Sequence, residues 1–331
     1  MKLLKFTRYA EWWEYKLVPL LSVGYATLLL NHYPLDKAAF RIVFLLSAII
    51  IGAVYVSVIN DLTDISEDAK AGKTNRMADV STLWKSVILG ICFTAGFICA
   101  YYIYPDRLGV FFYLMAWVVF SLYSLPPARL KKRGLWGVCC DAMGAHFFPA
   151  MLIATDLYYT TDTKISLLWM IAVGIWSLCY GLRGILWHQF YDRKNDIKSA
   201  TTTFASRINP ENFKLQEISI FVCEICAFIL ILYYIFNIWL FLSFLIYVLL
   251  VLIRRFYFKH QVCLIITPED TPHQLLMNDY YLVFFPLSLL FTAALNYPYA
   301  WIILCLHMLL FPGKSILIAR DVRSFVKNFK L

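Results

Sequence analysis

The stretch NDLTDISED at residues 60–68 decides how the whole chain is interpreted, because it ends a long apolar run with a dense cluster of acidic side chains. If the helix that carries the apolar run continues through this stretch, Asp61, Asp64 and Asp68 fall at i, i+3 and i+7 and lie on one stripe. Like charges on one stripe repel each other unless the carboxylates share divalent cations. A solvated acidic helix end explains this stretch, taken alone, equally well.

A second acidic stretch, YDRKND at residues 191–196, ends another long apolar run. Asp192 and Asp196 stand at i and i+4 and again share a helix face. Two acidic stripes at the mouths of two membrane helices predict two halves of one magnesium site. Magnesium prefers oxygen ligands and is usually held by one or two carboxylates together with substrate phosphates. The predicted substrate is therefore a phosphorylated, most simply a diphosphorylated, molecule whose remainder is apolar enough to lie in a bilayer.

The composition excludes an ordinary soluble protein. The 331 residues are 61% hydrophobic and 15% charged, and the mean hydropathy is +0.67. Because a span needs roughly 20 apolar residues, candidate spans are centred near residues 22, 50, 93, 117, 145, 178, 225, 247, 287 and 307. Lipid permits only helices or closed barrels, and these runs are too continuous for alternating strands. The sequence predicts an all-α, polytopic membrane helical bundle of about nine to ten transmembrane helices around a central cavity.

Positive charge gathers in alternate loops, so the net charge of +9 does not indicate nucleic acid as a partner. The clusters are Lys2, Lys5 and Arg8; Lys70, Lys73 and Arg76; Arg129, Lys131, Lys132 and Arg133; Arg193, Lys194, Lys198 and Arg207; Arg254, Arg255 and Lys259; and Arg320, Arg323, Lys327 and Lys330. This pattern predicts that both termini and the mouth of the site are cytoplasmic, which favours ten spans over nine. The last cluster alone is equally well explained as a solvated tail or an anchor for anionic lipid.

Three motifs together resemble those of the UbiA superfamily of intramembrane prenyltransferases. They are Asn60-Asp61-x-x-Asp64-x-x-x-Asp68 followed by KTNR at residues 73–76, YSLPPARLK at residues 123–131, and Asp192-x-x-x-Asp196 followed by Thr203. The motifs occur in the family's order within residues 10–210. The resemblance implies a single transmembrane domain over residues 1–331, with motif-bearing halves at about 10–130 and 135–331 and the site at their junction.

The resemblance also implies roles for individual residues. Asp61, Asp64 and Asp68 would hold one Mg²⁺ ion and Asp192 and Asp196 the other, with Asn60 as an additional ligand. The expected substrate-binding residues are Asn60, Lys73, Arg76, Tyr123, Arg129, Lys131, Arg183, His188, Tyr191 and Lys198. Among them Lys73, Arg76 and Lys198 would neutralise the diphosphate, whereas Arg129 and Lys131 reach phosphate or only anchor the membrane interface.

Further polar residues lie within or beside the apolar runs. Asp141 and His146 stand inside the fifth run, where an ionisable group is by default a functional candidate. Their i, i+5 spacing is poor for metal ligands on a helix, and a polar pair buried between helices accounts for them equally well. The polar loop at residues 267–278 is a candidate lid over the cytoplasmic mouth.

The predicted function is Mg²⁺-dependent transfer of a prenyl group from an isoprenyl diphosphate to a hydrophobic, aromatic or lipid acceptor within the membrane. This activity belongs to the transferases of alkyl groups other than methyl, in isoprenoid biosynthesis. One alternative is a terpene cyclase of the same superfamily, favoured by an aromatic pocket without a polar acceptor subsite. Another is a non-catalytic carrier of a phosphorylated lipid, which has little need of two magnesium stripes.

Overall fold

Helices dominate the computed structural model, which describes residues 8–70, 72–198, 202–268 and 271–329. The helices, numbered in chain order, are α1 Tyr9–Leu30, α2 Leu35–Lys70, α3 Thr82–Ile103, α4 Arg107–Ser124, α5 Leu135–Thr160, α6 Leu167–Tyr191, α7 Arg193–Lys198, α8 Lys214–Ile235, α9 Ile238–Phe256, α10 Tyr280–Asn296, α11 Ala300–Leu310 and α12 Gly313–Phe329. Two short parallel strands, β1 Gln261–Cys263 and β2 His273–Leu275, pair between α9 and α10. Lys2, Lys5 and Lys330, from the basic terminal clusters, lie outside the described residues.

The described helices confirm the predicted all-α membrane bundle. Each predicted span centre lies in one of them, and seven helices are long and apolar enough to cross a membrane. An eighth span is reached if α11 and α12 are counted together, although they are bent by 80°. Pro312 lies at the bend, and its ring cannot continue α11.

The helices divide into a central set and a peripheral set. Within the most apolar 18 residues of each helix, 72% of α5 and 61% of α6 are buried, compared with 22% of α9. α1 is also central, with an unbroken run of buried residues from Leu17 to Leu28. The peripheral helices expose large apolar side chains, which suits contact with lipid tails.

Helix α2 is 36 residues long and continues without a break from the apolar run to Lys70. The acidic stretch therefore lies on the same helix as the span, as the spacing argument requires. At the other end of α2, Arg41 pairs with Asp156 of α5 at 2.5 Å. Because Asp156 is fully buried, this pair fixes the ends of α2 and α5 that lie farthest from the acidic motifs.

Two central helices contain a π-helical segment. One occupies Met143–Phe147 within α5, and the other occupies Tyr280–Phe284 at the start of α10. Each is followed directly by a phenylalanine and a proline, Phe148-Pro149 and Phe285-Pro286. A proline at the second helical position supplies no N–H, so it suits a helix that restarts after a wider turn. π-Helical turns occur frequently at functional sites, and Gly144, Ala145 and His146 of the first segment line a large cavity.

Candidate functional site

A cavity of about 1140 Å³ opens between the central helices and receives residues from both acidic motifs. The predicted site residues that line it are Asn60, Tyr123, Arg183, His188 and Asp192. Those that the structure describes outside its lining are Asp61, Asp64, Asp68, Asp196, Lys73, Arg76, Arg129, Lys131, Tyr191 and Lys198. The ends of α2 and α6 thus contribute to one cavity, although Asp192 is the one predicted carboxylate among its described lining residues.

Asn60 begins the first motif and is held in place by two donors. Its side-chain oxygen accepts from Ser124 Oγ at 3.0 Å and from Lys131 Nζ at 2.8 Å. Ser124 ends α4 and Lys131 follows it, so the segment at residues 123–131 orients the first acidic motif.

Asp64 is neutralised by the same segment. Arg129 donates to its carboxylate at 2.7 Å, and Lys131 Nζ lies 2.7 Å from each carboxylate oxygen. Burial lowers the pKa of Lys131, and its hydrogen bond to Asp64 acts in the opposite direction. Arg129 and Lys131, predicted to contact phosphate or to anchor the interface, therefore form ion pairs within the protein.

The other carboxylates of the first motif have different partners. Asp61 is buried, with Arg8 and Arg76 at 3.6 and 3.7 Å, and its Oδ2 atom has no hydrogen-bond donor among the described residues. Asp68 accepts from Asn75 at 2.7 Å, and the same amide also donates to the Asp61 carbonyl at 2.8 Å. The loop after α2 therefore folds back onto the acidic end of the helix.

The second motif is more open. The Asp192 side chain is 41% exposed, lines the cavity and has His188 Nε2 at 3.8 Å. Asp196 accepts from the Thr203 hydroxyl at 3.1 Å. Burial raises the pKa of Asp196, while the Thr203 bond and the positive charge of Lys73 oppose that shift. Lys73, from the loop after α2, is thus an electrostatic neighbour of the second motif.

The remaining predicted site residues differ in their surroundings. Arg183 is buried, pairs with Glu224 at 2.5 Å and donates to the carbonyls of Leu264 and Leu276. These contacts join α6 to α8 and to the strand region. Tyr191 and Lys198 are exposed, and the Tyr191 ring lies 6.1 Å from the ring of His273.

A polar wall from the C-terminal part of the chain was not predicted as part of the site. It includes Arg254, His273, Gln274, Asn278, Asp279, Lys314 and Asp321. Arg254 pairs with both Asp279 and Asp321, so part of the wall is an internal ion network. His273, Gln274 and Asn278 belong to the polar loop predicted as a lid; residues 269 and 270 of that loop lie outside the described residues. The loop's run of polar residues was the available signal, but its packing against α6 depends on tertiary structure.

The side chains of the site fit a magnesium ion only if a bound substrate supplies further oxygen ligands. Among the described residues, no three His, Cys, Asp or Glu side chains lie close enough together to hold a metal ion by themselves. However, Asp61 has a buried oxygen without a hydrogen bond among the described residues, and the His188 nitrogen near Asp192 is 3.8 Å from its carboxylate, beyond hydrogen-bond distance. One or two carboxylates with phosphate oxygens and water form the usual protein environment of magnesium. The arrangement therefore fits a metal ion that binds together with a phosphorylated ligand.

Comparison with known proteins gives consistent results. The model of the UbiA prenyltransferase family matches residues 18–263. The structure of a UbiA homolog from Archaeoglobus fulgidus bound to GPP and Mg²⁺ is 16% identical, with a TM-score of 0.59, and the match covers 92% of this chain and 100% of that chain. A structure of a UbiA homolog from the same organism bound to DMAPP and Mg²⁺ is 14% identical, with a TM-score of 0.51 and 98% of each chain covered. At these identities the likeness establishes the fold alone. No curated protein matches the chain.

Proposed function

Because the chain belongs to the UbiA prenyltransferase family, we propose that it transfers a prenyl group from an isoprenyl diphosphate to an acceptor within the membrane, with Mg²⁺ as cofactor. The observation that carries this proposal is the cavity that receives both Asn60 of the first acidic motif and Asp192 of the second. One ligand at its mouth can contact both motifs while its apolar remainder extends between the helices. The solved UbiA homologs bound to GPP or DMAPP with Mg²⁺ support the same class of donor.

The proposed metal ligands are the residues of the two motifs: Asn60, Asp61, Asp64, Asp68, Asp192 and Asp196. When bound, Mg²⁺ offsets the negative charge that grows on the diphosphate as the carbon–oxygen bond breaks. Lys73, Arg76 and Lys198 would add positive charge at the mouth. Arg129 and Lys131 would act through Asn60 and Asp64, whose side chains they hold in place.

The prenyl chain would occupy the apolar part of the cavity. Phe112, Trp117 and Phe120 of α4 line it together with Ile49 of α2 and Leu152 of α5. Aromatic faces stabilise a nearby cation by about 0.5–2 kcal/mol each, which suits the allylic cation that forms when diphosphate leaves. Closely packed apolar walls also keep water away from that cation.

The polar wall favours transfer to an acceptor over cyclisation. Gln274 and Asn278 line the same cavity as the motifs and provide side-chain amides for hydrogen bonds there, whereas Asp279 is paired with Arg254. A cyclase that quenches its cation within the substrate has no need of such a wall. A carrier would bind diphosphate without breaking it, which the assay below distinguishes.

We infer that the partners are an isoprenyl diphosphate, a hydrophobic or aromatic acceptor and the lipid bilayer, with the mouth and both termini on the cytoplasmic side. The basic clusters beside the acidic motifs carry this orientation. A reporter active only in the cytoplasm and fused after residue 331 is expected to be active. A well-expressed but inactive fusion would instead place the C-terminus on the other side of the membrane.

The direct test uses the purified protein in lipid nanodiscs with Mg²⁺ and isoprenyl diphosphates of several chain lengths, with and without phenolic and lipid acceptors. We expect release of diphosphate and a prenylated product by mass spectrometry, and loss of both in excess chelator. Binding without diphosphate release would support the carrier. Diphosphate release with a cyclic hydrocarbon as the sole product would support the cyclase.

A further inference from the structure

His146 lies in the π-helical segment of α5 and lines the cavity. A π-helical turn closes its hydrogen bonds from i to i+5 and is wider than an α-helical turn. This widening lets Asp141 and His146, five residues apart, line the same cavity. On an ordinary α-helix, the i, i+5 spacing would direct Asp141 and His146 to different sides. Here both residues line the cavity.

The imidazole is buried, and no residue that the structure describes forms a hydrogen bond with it. His146 is 7% exposed, and within the described residues no hydrogen bond or ion pair holds its ring. Its ring meets the edge of Tyr180 at 5.2 Å between centroids. α6 approaches so closely that a Cβ on Gly181 would lie 3.1 Å from His146 Cβ. The packing thus fixes the ring while its nitrogen atoms remain available to a ligand.

His307 shows how this protein treats a buried histidine that serves only packing. It is 4% exposed, its Nδ1 atom lies 3.3 Å from the Tyr25 hydroxyl, and its ring packs on Phe311 at 5.0 Å. It does not line the cavity. A buried polar group without a hydrogen bond is costly, so the contrast indicates that the partner of His146 is a ligand.

Prenyl transfer requires a group that accepts a proton. The carbon–oxygen bond of the donor breaks, and the diphosphate leaves with the electron pair. The acceptor then forms a bond to the allylic carbon and must lose the proton from its hydroxyl or ring carbon. In the proposed reaction the acidic motifs bind the leaving group, whereas His146 lines the cavity two residues after Gly144, which packs against the Phe120 ring.

We propose that neutral His146 is the catalytic residue that takes this proton from the acceptor substrate, through a ring nitrogen that faces the cavity. The substrate class is therefore one whose nucleophile carries a removable proton, such as a phenol or an alcohol. The resulting imidazolium returns its proton to water at the polar mouth. This inference rests on the proposed prenyl transfer.

The test compares His146→Gln and His146→Phe with the matched control His307→Gln. Each protein receives Mg²⁺ and geranyl diphosphate, in one arm with naphthol and in the other with water as the acceptor. Binding of geranyl thiolodiphosphate, which does not ionise readily, measures the donor site separately. Product per released diphosphate measures proton removal from the acceptor.

We expect the His146 variants to bind the thiolodiphosphate as wild type does and to form product at least about 100-fold more slowly, within the usual contribution of general base catalysis. His307→Gln should form product at the wild-type rate, because its ring does not line the cavity. Product formation by His146→Gln and His146→Phe at the wild-type rate would overturn the proposal.

A second measurement uses wild-type protein and does not depend on activity or on the folding of a variant. Diethylpyrocarbonate modifies accessible neutral imidazoles, and peptide mass spectrometry resolves each histidine. His146 should react faster than His307, and geranyl thiolodiphosphate with Mg²⁺ should protect it. Equal rates, or no protection, would contradict a ligand-facing imidazole.

The results separate the two proposals. If wild type neither binds the thiolodiphosphate nor releases diphosphate, prenyl transfer itself is wrong. If wild type is active and His146→Gln matches it and His307→Gln in both acceptor arms, only the role of His146 is wrong.

Discussion

The two acidic motifs differ in how far the protein neutralises them. In the first motif, Asp64 is enclosed by Arg129 and Lys131 at 2.7 Å, and Asp68 accepts from Asn75. In the second, Asp192 is 41% exposed and has a histidine nitrogen at 3.8 Å. Folding therefore builds the first motif into an internal ion network, whereas the second keeps an open carboxylate at the cavity. Acidic residues at similar spacing therefore have different surroundings in the two motifs, one paired within the protein and one open to the cavity.

Because of this difference, substitutions in the two motifs should affect stability and activity to different extents. Removing one member of a buried ion pair leaves its partner charged and unpaired, which is strongly destabilising. Removing a half-exposed carboxylate leaves no such charge behind, but it removes an oxygen that a metal ion can use. Substitutions in the first motif should thus lower both stability and activity, whereas substitutions in the second should lower mainly activity.

The largest expected effect is that of Asp192→Asn on turnover. Loss of a charged group that stabilises the leaving diphosphate should slow diphosphate release by about 100-fold or more, while the thermal unfolding temperature stays near that of wild type. Steady-state kinetics and thermal melting in the same detergent measure the two effects. Asp162→Asn, at an exposed aspartate beyond the end of α5, is the matched control. Wild-type turnover in Asp192→Asn would remove Asp192 from the site.

Asp64→Asn should lower both activity and stability. Lys131 would lose its carboxylate partner, whereas Arg129 would keep Glu67. Because these side chains are partly exposed, we expect the free energy of unfolding to fall by about 1–2 kcal/mol, between the values for exposed and for buried pairs. Denaturant titration in mixed micelles provides the measurement. Adding Lys131→Met should recover part of the loss, because it removes the unpaired cation. A double variant that loses the sum of both single effects would show that the pair does not interact as described.

Thr203→Val tests the second motif through pH. Burial raises the pKa of Asp196 and the Thr203 hydroxyl opposes that shift, so the substitution should raise this pKa further. Only the carboxylate form of Asp196 binds a metal ion. The Mg²⁺ concentration needed for half-maximal activity should therefore rise as the pH falls through the Asp196 pKa. In Thr203→Val this rise should begin at a higher pH. The lost hydrogen bond should change the free energy of Asp196 ionisation by about 1 kcal/mol. Thr202→Val, at an exposed neighbouring site, should leave the pH dependence unchanged.

The smallest effect is expected for Lys132→Ala. Lys132 pairs with Glu67 beside the first motif, but the two side chains are 48% and 39% exposed. An exposed ion pair contributes about 0.2–1 kcal/mol, so the free energy of unfolding should change by no more than this. Turnover should be unaffected. A loss as large as that of Asp64→Asn would show that the ion network extends to the surface.

The sequence alone was sufficient to predict the membrane bundle and the acidic stripes. The bilayer fixes how many apolar residues a span needs, so span positions follow from composition along the chain, and each predicted centre lies in a helix. Helical periodicity likewise places Asp61, Asp64 and Asp68 on one stripe because α2 continues through them. The three motifs were sufficient to identify the family that the comparison later matched.

Tertiary structure alone decided which side chains neutralise these stripes and which ones face the cavity. Arg129 and Lys131 reach Asp64 from more than sixty positions along the chain because the turn after α4 lies against the end of α2. A π-helical turn, which local periodicity does not predict, brings Asp141 and His146 to one wall. The polar wall from the C-terminal part of the chain lines the cavity only because the strand pair and α12 pack beside it. These contacts join residues that are distant in sequence, so their geometry depends on the packing of the complete bundle.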